Sequence, residues 1–288
     1  MKINIITEDN VTLHATLYKA DSPKGVVLIN PGTATNTSFY LPFANFLTNN
    51  GFHVVLWNYR GFCESKTSTL KGSSYQYSDV GRYDIPAAID KVKSLFIDLP
   101  LYCVAHSAGG QQLGLAHNSH KLAALIAVAV SAGYFAYMPF GYRIKANFFF
   151  RMFAPLTSKL FNYVPAKKLK LMEDLPVGFT DEWGAWCREK ELFFSEKFYG
   201  KSIPEGTFKN FNIPTVVFSA DDDEISTVKN VANFWKNVTS DQPIEFKRYQ
   251  SSALPKKGVG HFGYFRRHNK PIWQDILASI NKVHHART

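Results

Sequence analysis

A serine at a predicted strand-to-helix turn is the first residue whose setting indicates chemistry. Ser107 lies in residues 104–110 (VAHSAGG), between the apolar run LYCVA and a helical pattern. On such a turn the serine hydroxyl projects outward, and small neighbours are needed because the turn is crowded. The amides that open the next helix can stabilise an oxyanion. We therefore predict Ser107 as a nucleophile and the Ala108 amide as an oxyanion donor, although small-residue turns also open many ordinary helices.

The base for this serine is predicted near the C-terminal end, at His261. It lies in a glycine-rich run, residues 258–264 (GVGHFGY), after the last predicted strand and before the last predicted helix. A free serine hydroxyl is a weak nucleophile, so a neighbouring base of this kind is required. No other histidine has this setting. His106 adjoins the serine, but we expect its side chain to point away, into the scaffold.

An acid that orients the histidine is expected at the end of the preceding strand. The apolar run TVVFSA leads directly into Asp221, Asp222 and Asp223. The position after the strand leaves the choice among the three open. A solvated turn that caps the next helix is the other use for such a cluster, and we expect two of the aspartates to serve it. A calcium loop is disfavoured because the glycine and the glutamate that it needs are missing.

A second oxyanion donor is predicted in residues 31–35 (PGTAT), which follow the third predicted strand. The backbone amide of Thr33 is the expected donor, placed beside that of Ala108 above the serine. An ordinary strand-to-helix turn is the alternative interpretation of the same residues.

Short apolar runs alternate with helical patterns along the chain, which predicts an α/β fold with helices on both faces of a mostly parallel, eight-stranded sheet. The predicted strands are residues 2–6, 11–19, 26–30, 53–58, 101–105, 125–130, 215–219 and 244–249. The predicted helices are residues 39–49, 80–96, 108–117, 228–236 and 272–283. A polar turn between the first two strands predicts an antiparallel hairpin at the sheet edge.

This regularity breaks between about residue 133 and residue 209, a stretch too long for an ordinary connection. We expect it to form a cap within a single domain, 1–288, because both of its ends return to the same sheet. Residues 134–170 contain seven Lys or Arg, eleven Phe or Tyr and no acid. The aromatic side chains can line an acyl pocket, and we expect this of Phe148, Phe149 and Phe153. Equally, they can bury the cap against the sheet.

The amino-acid composition indicates a globular protein. The 288 residues are 45% hydrophobic and 19% charged, which is typical of a globular chain and not of a disordered one. Three scattered cysteines disfavour a disulfide framework or a zinc ribbon and indicate a reducing, cytoplasmic setting, and we expect no secretory signal. The uncharged residues 122–142 contain glycine and proline and are predicted as a buried strand and a loop, not a membrane span.

A net charge of +10 permits attraction to several kinds of anionic partner. No known nucleic-acid-binding module accompanies it, so we expect no nucleic-acid partner. The cations of the cap segment can favour an anionic substrate or peripheral contact with a lipid surface. The oligomeric state is left open by the sequence.

The order of serine, acid and histidine and the alternation of strands and helices resemble the α/β-hydrolase superfamily over essentially the whole chain. Residues 58–65 (NYRGFCES) are similar to its D-x-R-G-x-G-x-S segment, with Asn58 and Cys63 in place of Asp and Gly. Within the cap segment, residues 162–165, 173–176 and 183–187 resemble bacterial predicted hydrolases related to serine aminopeptidases and monoacylglycerol lipases. Residues 30–32 (NPG) depart from the commoner His-Gly of that group.

The resemblance implies a serine hydrolase with a Ser-His-Asp triad. Its usual pattern (small, two variable residues, Asp, one variable residue, aliphatic) aligns with Ala220 and Ile225, and so favours Asp223 over Asp222 as the orienting acid. The resemblance does not imply a particular substrate; we expect a small-molecule carboxylic ester, or a thioester or amide, and no metal or organic cofactor. Acyl transfer, aminopeptidase activity and ligand binding without catalysis are the alternatives.

Overall fold

Eight strands form one sheet in the computed structural model, which describes residues 1–66, 69–169, 172–254 and 258–287. The strands are β1 (Lys2–Ile6), β2 (Thr12–Tyr18), β3 (Val26–Asn30), β4 (His53–Trp57), β5 (Leu101–His106), β6 (Ala124–Val128), β7 (Thr215–Ala220) and β8 (Ile244–Tyr249). Their order is β1-β2-β4-β3-β5-β6-β7-β8. β2 runs antiparallel to β1 and β4, and all other neighbours are parallel. The predicted fold class is confirmed.

Helices cover the sheet where the helical patterns predict them. The α-helices are α1 (Leu41–Asn49), α2 (Ile85–Leu95), α3 (Ala108–Gln111), α4 (Phe140–Phe148), α5 (Ala154–Phe161), α6 (Val177–Arg188), α7 (Val228–Trp235) and α8 (Lys270–His285). A π-helical segment, Val80–Asp84, leads into α2, and a second, Phe149–Phe153, joins α4 to α5.

The sheet has buried side chains on both faces, as a parallel sheet between two helical layers requires. Along β3, Val26 and Leu28 pack in one apolar cluster, whereas Val27 and Ile29 pack in the other. This alternation follows from the pleat, which turns successive side chains to opposite faces. Helices α2 and α7 cover the first face, and α1 and α8 cover the second.

The helix after Ser107 is shorter than predicted. The sequence pattern predicts residues 108–117, but α3 ends at Gln111 and a 3₁₀ turn, Leu113–Leu115, follows. Gly109, Gly110 and Gly114 lower the helix propensity of this run. At Gly114 the ring of Phe208 packs so closely that a Cβ atom would overlap it. Packing of the chain against its neighbours therefore outweighs the helical pattern here.

The order of the strands reverses at β3, which has β4 on one side and β5 on the other. The chain passes from β3 into α1 on one face of the sheet, and from β5 into α3 on the opposite face. A crevice forms at the carboxyl edge of an open sheet wherever two such connections diverge. Asn30 pairs with Ala105 at this edge, so the loops after both strands border the crevice.

The uncharged stretch 122–142 forms a buried strand and a loop, as predicted, up to the start of α4. β6 occupies the first part, and α4 begins only at Phe140. Among the residues that the structure describes, no helix is both long enough and apolar enough to cross a membrane.

Residues 133–209, which we call the inserted segment, lie between β6 and β7 and contain α4, α5 and α6. An antiparallel bridge between Val164 and Leu175 ties the segment together between α5 and α6. Phe149 and Trp186 of the segment belong to the same apolar cluster as Ala108. Lys170, which ends the basic and aromatic stretch noted in the sequence, lies outside the described residues.

Arg60, in the loop after β4, is buried among carboxylates. Its Nε lies 2.7 Å from Asp84 Oδ1, and its Nη1 lies 2.7 Å from Asp9 Oδ2. Burial opposes the charge, but the hydrogen bonds with Asp9 and Asp84 raise the pKa of Arg60 above its ordinary value. A charged Arg60 therefore joins the β1–β2 turn, the loop after β4 and the start of α2.

Replacing Arg60 by Met is expected to destabilise the fold by about 3–5 kcal/mol, because it leaves the buried carboxylate of Asp84 without its partner. The matched control is Lys121→Met, which removes an equally short ion pair, 2.6 Å from Asp90, with both side chains more than 40% exposed. This control should cost no more than about 1 kcal/mol. Urea unfolding of both variants measures the difference, and equal losses would contradict a central role for Arg60.

Candidate active site

Ser107 occupies a strained turn between β5 and α3. Its backbone has φ 50° and ψ −116°, in the left-handed half of conformational space that residues with a side chain rarely adopt. The chain after it packs tightly, since a Cβ atom on Gly109 would lie 2.7 Å from the carbonyl oxygen of Asn30. Only a small residue fits there, which is the physical reason for the glycines that mark the motif in the sequence.

The structure brings Ser107, His261 and Asp223 together in one hydrogen-bonded chain. Ser107 Oγ lies 3.0 Å from His261 Nε2. His261 Nδ1 lies 2.9 Å from Asp223 Oδ2 and 3.1 Å from Oδ1. Because an ionised carboxylate only accepts hydrogen bonds, Nδ1 carries the proton and Nε2 presents its lone pair to the serine.

Asp223 is held as a buried anion. Its Oδ1 accepts hydrogen bonds from the amides of Ile225 and Ser226, each 2.8 Å long. Burial opposes ionisation, but His261 and these amides lower the pKa of Asp223 below its ordinary value. The carboxylate is therefore ionised at neutral pH, with fixed donors on one side and the imidazole on the other.

The two preceding aspartates do not cap the next helix, contrary to the expectation from sequence. The cap of α7 is Thr227, whose hydroxyl accepts from the amide of Asn230. Asp221 instead accepts from the amide of Ser251, 2.8 Å away, and Asp222 binds a different loop. A side chain in the cap position, closer to the helix, takes the role that the cluster was expected to fill.

Asp222 fastens the loop that carries the histidine, a role that the sequence analysis missed. Its Oδ2 accepts from the amide of Val259 at 2.7 Å, and its Oδ1 accepts from the amide of Gly260 at 3.0 Å. His261 follows directly. Asp223 therefore orients the imidazole ring, and Asp222 holds the backbone of the loop that carries it. The pairing joins residues far apart in the chain, and only the unusual run of three aspartates hinted at it.

The loop after β3 is anchored by three buried tyrosine hydroxyls, which the sequence analysis did not identify. These contacts join Tyr40 Oη to the amide of Gly32 (2.8 Å), Tyr59 Oη to the carbonyl of Pro31 (2.7 Å) and Tyr77 Oη to Thr33 Oγ1 (2.6 Å). The amides of Thr33 and Ala108 donate no hydrogen bond to any described residue. Both predicted oxyanion donors thus keep a free N–H, on a fixed loop and at the start of α3.

His106 is fully buried beside the serine and points into the scaffold, as expected. Burial, and to a smaller extent nearby His261, lower the pKa of His106 to about 3, so the ring is neutral. Its Nε2 lies 2.9 Å from the carbonyl oxygen of His261, and its Nδ1 lies 2.8 Å from Tyr40 Oη. Nε2 must therefore carry the proton, and Tyr40 donates to Nδ1 while it accepts from Gly32. One buried network joins both loops of the site.

The three aromatic residues expected to line a pocket are not placed together. Phe149 is buried and stacks on partly buried Phe153, with 5.7 Å between ring centroids. Phe148 is 53% exposed and does not share their packing. Burial and the charges of Asp223 and Glu224 raise the pKa of Tyr142, on the same helix as Phe148, to about 12.

Metal-ligating side chains are not clustered in the described part of the chain. No group of three or more His, Cys, Asp or Glu side chains there lies close enough to hold a metal ion. The arrangement of serine, imidazole and carboxylate can instead generate a nucleophile by proton transfer.

Solved structures with this fold include several hydrolases. An esterase from Exiguobacterium antarcticum has a TM-score of 0.60 and 14% identity, over 98% of this chain and all of that one. The α/β hydrolase GrgF from Penicillium has a TM-score of 0.65 and 14% identity, over 99% of both chains. A serine hydrolase without a lid, from Xanthomonas campestris, has a TM-score of 0.56 and 13% identity, over 98% and 94%. At such identities the likeness shows the fold alone.

No curated protein matches the sequence. The family model described as "Serine aminopeptidase, S33" matches residues 21–176, which is more than half of the chain and includes Ser107 and the loop after β3. The match covers the β3–β6 core and ends within the inserted segment. The chain belongs to this S33 family of hydrolases, within the α/β-hydrolase superfamily.

Proposed function

We propose that the protein is a serine hydrolase that cleaves a carboxylic ester through an acyl-enzyme. The observation that carries the proposal is the unbroken hydrogen-bonded chain from Ser107 Oγ through His261 to Asp223. Nucleophile, base and orienting acid recur in this arrangement on unrelated folds, and the roles follow from geometry rather than from sequence position.

In the first step His261 Nε2 takes the proton of Ser107 as the oxygen attacks the ester carbonyl. The imidazole becomes a cation, and the carboxylate of Asp223 stabilises that charge while it keeps the proton on Nδ1. The negative charge that develops on the carbonyl oxygen is bound by the amides of Ala108 and Thr33. One well-placed donor of this kind contributes about 3–4 kcal/mol to transition-state stabilisation.

The tetrahedral intermediate then collapses, and His261 returns the proton to the leaving alcohol. A water molecule attacks the acyl-enzyme in the second step, with the same imidazole as its base. The second tetrahedral intermediate collapses as the bond to Ser107 Oγ breaks, His261 returns the proton to that oxygen, and the carboxylic acid is released, so the cycle consumes only ester and water.

We propose further that residues 1–288 form one domain in which the inserted segment is a cap over the site. Phe149 and Phe153 pack against each other on its inner side, in the apolar cluster that includes Ala108. In this proposal the two rings form an apolar wall for the acyl part of a small-molecule substrate. Phe148 is left out of this assignment because it faces outward.

A fluorophosphonate probe should label the wild-type protein and should label neither Ser107→Ala nor His261→Ala, since the first lacks the nucleophile and the second lacks its base. Replacement of an exposed serine, Ser252→Ala, serves as the matched control and should label as wild type does. In-gel fluorescence measures the labelling, and thermal unfolding verifies that each variant is folded. Equal labelling of wild type and Ser107→Ala would refute the assignment.

A panel of substrates distinguishes ester cleavage from amide cleavage. We expect p-nitrophenyl esters to be hydrolysed with kcat/KM at least about tenfold above that of aminoacyl p-nitroanilides, because no acid in the front half of the cap can bind a substrate amine. Faster turnover of the anilides would favour an aminopeptidase. Formation of a new ester with an added alcohol would favour acyl transfer.

Three successive Asp→Asn variants test the separate roles of the aspartates. Asp223→Asn should lower kcat/KM by about 10⁴-fold, because an amide in that position favours the wrong histidine tautomer. Asp222→Asn should lower it by roughly ten- to hundredfold, because it loosens the loop that positions His261. Asp221→Asn is the control and should leave it unchanged. A larger loss for Asp222→Asn than for Asp223→Asn would reverse the assignment.

A further inference from the structure

A row of large apolar side chains faces outward along the inserted segment. Its members are spaced four residues apart and are 53–69% exposed: Phe140, Ile144, Phe148, Met152, Leu156 and Leu160. We call these six residues the outer row. Of the fifteen large apolar side chains exposed in the described part of the chain, eight lie between residues 140 and 169. The exposure is therefore concentrated on one element.

The local helix geometry keeps the outer row on one side. In a regular α-helix, residues four apart drift by about 40° per step around the axis. The π-helical segment Phe149–Phe153 joins α4 to α5 in the middle of the row. Its wider turn adds a residue per turn and reduces that drift. Pro155, which cannot donate a helical hydrogen bond, follows the wider turn directly.

We call α4, the π-helical segment and α5 together the helical run. The side of the helical run opposite the outer row attaches it to the protein. Phe149 is buried, and Phe150 packs edge-to-face on Trp183 of α6, with 4.9 Å between ring centroids. Gly184 allows this contact, because a Cβ atom there would lie 2.7 Å from the Phe150 ring. The inner side already packs these helices against the protein, so the fold does not depend on contacts of the outer row.

The charged residues of the sequence segment that carries the outer row are all positive. Described residues 134–169 contain six Lys or Arg and no acid. Four of these cations lie within the helical run and form no ion pair with a described residue: Arg143, Lys145, Arg151 and Lys159. The guanidinium of Arg143 lies 5.4 Å from the ring centroid of Phe140. Apolar and cationic groups thus share one exposed surface.

We propose that the outer row docks on an anionic lipid surface, with the helical run lying in the plane of the interface. Amphipathic helices with basic residues beside an apolar face bind in this way, with the apolar side chains at the boundary between headgroups and acyl chains. Each nearby Lys or Arg adds attraction to anionic headgroups. The structure has no membrane-spanning helix in its described residues, and the proposed contact is peripheral.

A lipid surface suits this face better than a second copy of the chain does. A symmetric pair would bring the four cations against the same four cations, which is repulsive. The outer row is also the convex side of a helix, and a protein partner would need a matching groove. A fluid interface needs no groove and supplies the opposite charge.

This inference goes beyond the proposed hydrolysis and does not depend on it. Docking would place α4 at the lipid, and Tyr142 of that helix lies close enough to Asp223 for its charge to raise the pKa of the tyrosine. Binding itself needs neither an active serine nor a substrate, so the two proposals fail separately.

The test is flotation of the full chain with vesicles, in the Ser107→Ala background so that turnover does not alter the lipid. We expect binding to phosphatidylcholine vesicles that contain phosphatidylglycerol to be at least about tenfold tighter than to phosphatidylcholine alone, and to weaken as salt rises. Absence of binding to the anionic vesicles at low salt would overturn the proposal.

Paired variants identify the surface. Met152→Ser with Leu156→Ser, and separately Lys145→Glu with Lys159→Glu, should each weaken binding to anionic vesicles by about tenfold or more. The control is Ile97→Ser with Phe246→Ser, two apolar residues equally exposed elsewhere, which should bind as the parent does. Thermal unfolding verifies each fold. Loss of binding in the control but not in the outer row would overturn the assignment, as would sedimentation of a dimer that Met152→Ser with Leu156→Ser disperses.

Discussion

The chain must turn through the strained backbone of Ser107 within a single residue, between the end of β5 and the first residue of α3. A positive φ at a residue with a side chain costs free energy and persists only where the surroundings enforce it. At Ser107 the surrounding residues enforce it both before and after the turn. His106 is locked by two hydrogen bonds before the turn, and Gly109 packs against the backbone of Asn30 after it. The stability of the whole sheet therefore maintains this one conformation.

The loops around the turn are held by polar groups that are buried and satisfied. Tyr40 and His106 link the loop after β3 to the loop that carries His261, and Asp222 fixes the second loop from another direction. Buried networks of this kind are stabilising only when every member has its partner. Their rigidity holds Ser107, Asp223 and His261 in fixed positions relative to one another.

The sequence was sufficient where chemistry follows local pattern. Apolar runs that end at small or acidic residues predicted each strand to within two residues and led to Ser107, His261 and the run of three aspartates, among which the family pattern selected Asp223. It was insufficient where a role depends on a distant neighbour. The part that Asp222 plays requires knowing which loop passes over it, and the length of α3 depends on how Phe208 packs. Neither fact is encoded in nearby residues.

The hydrogen bond between Ser107 and His261 spans 154 residues of sequence. During synthesis the serine and its turn emerge long before the histidine, because β6, the inserted segment, β7 and β8 lie between them. Contacts of such high sequence separation form late, after the intervening chain has folded. On the proposed mechanism, a nascent or truncated chain therefore carries an unactivated serine, and reactivity arises only once the sheet is complete.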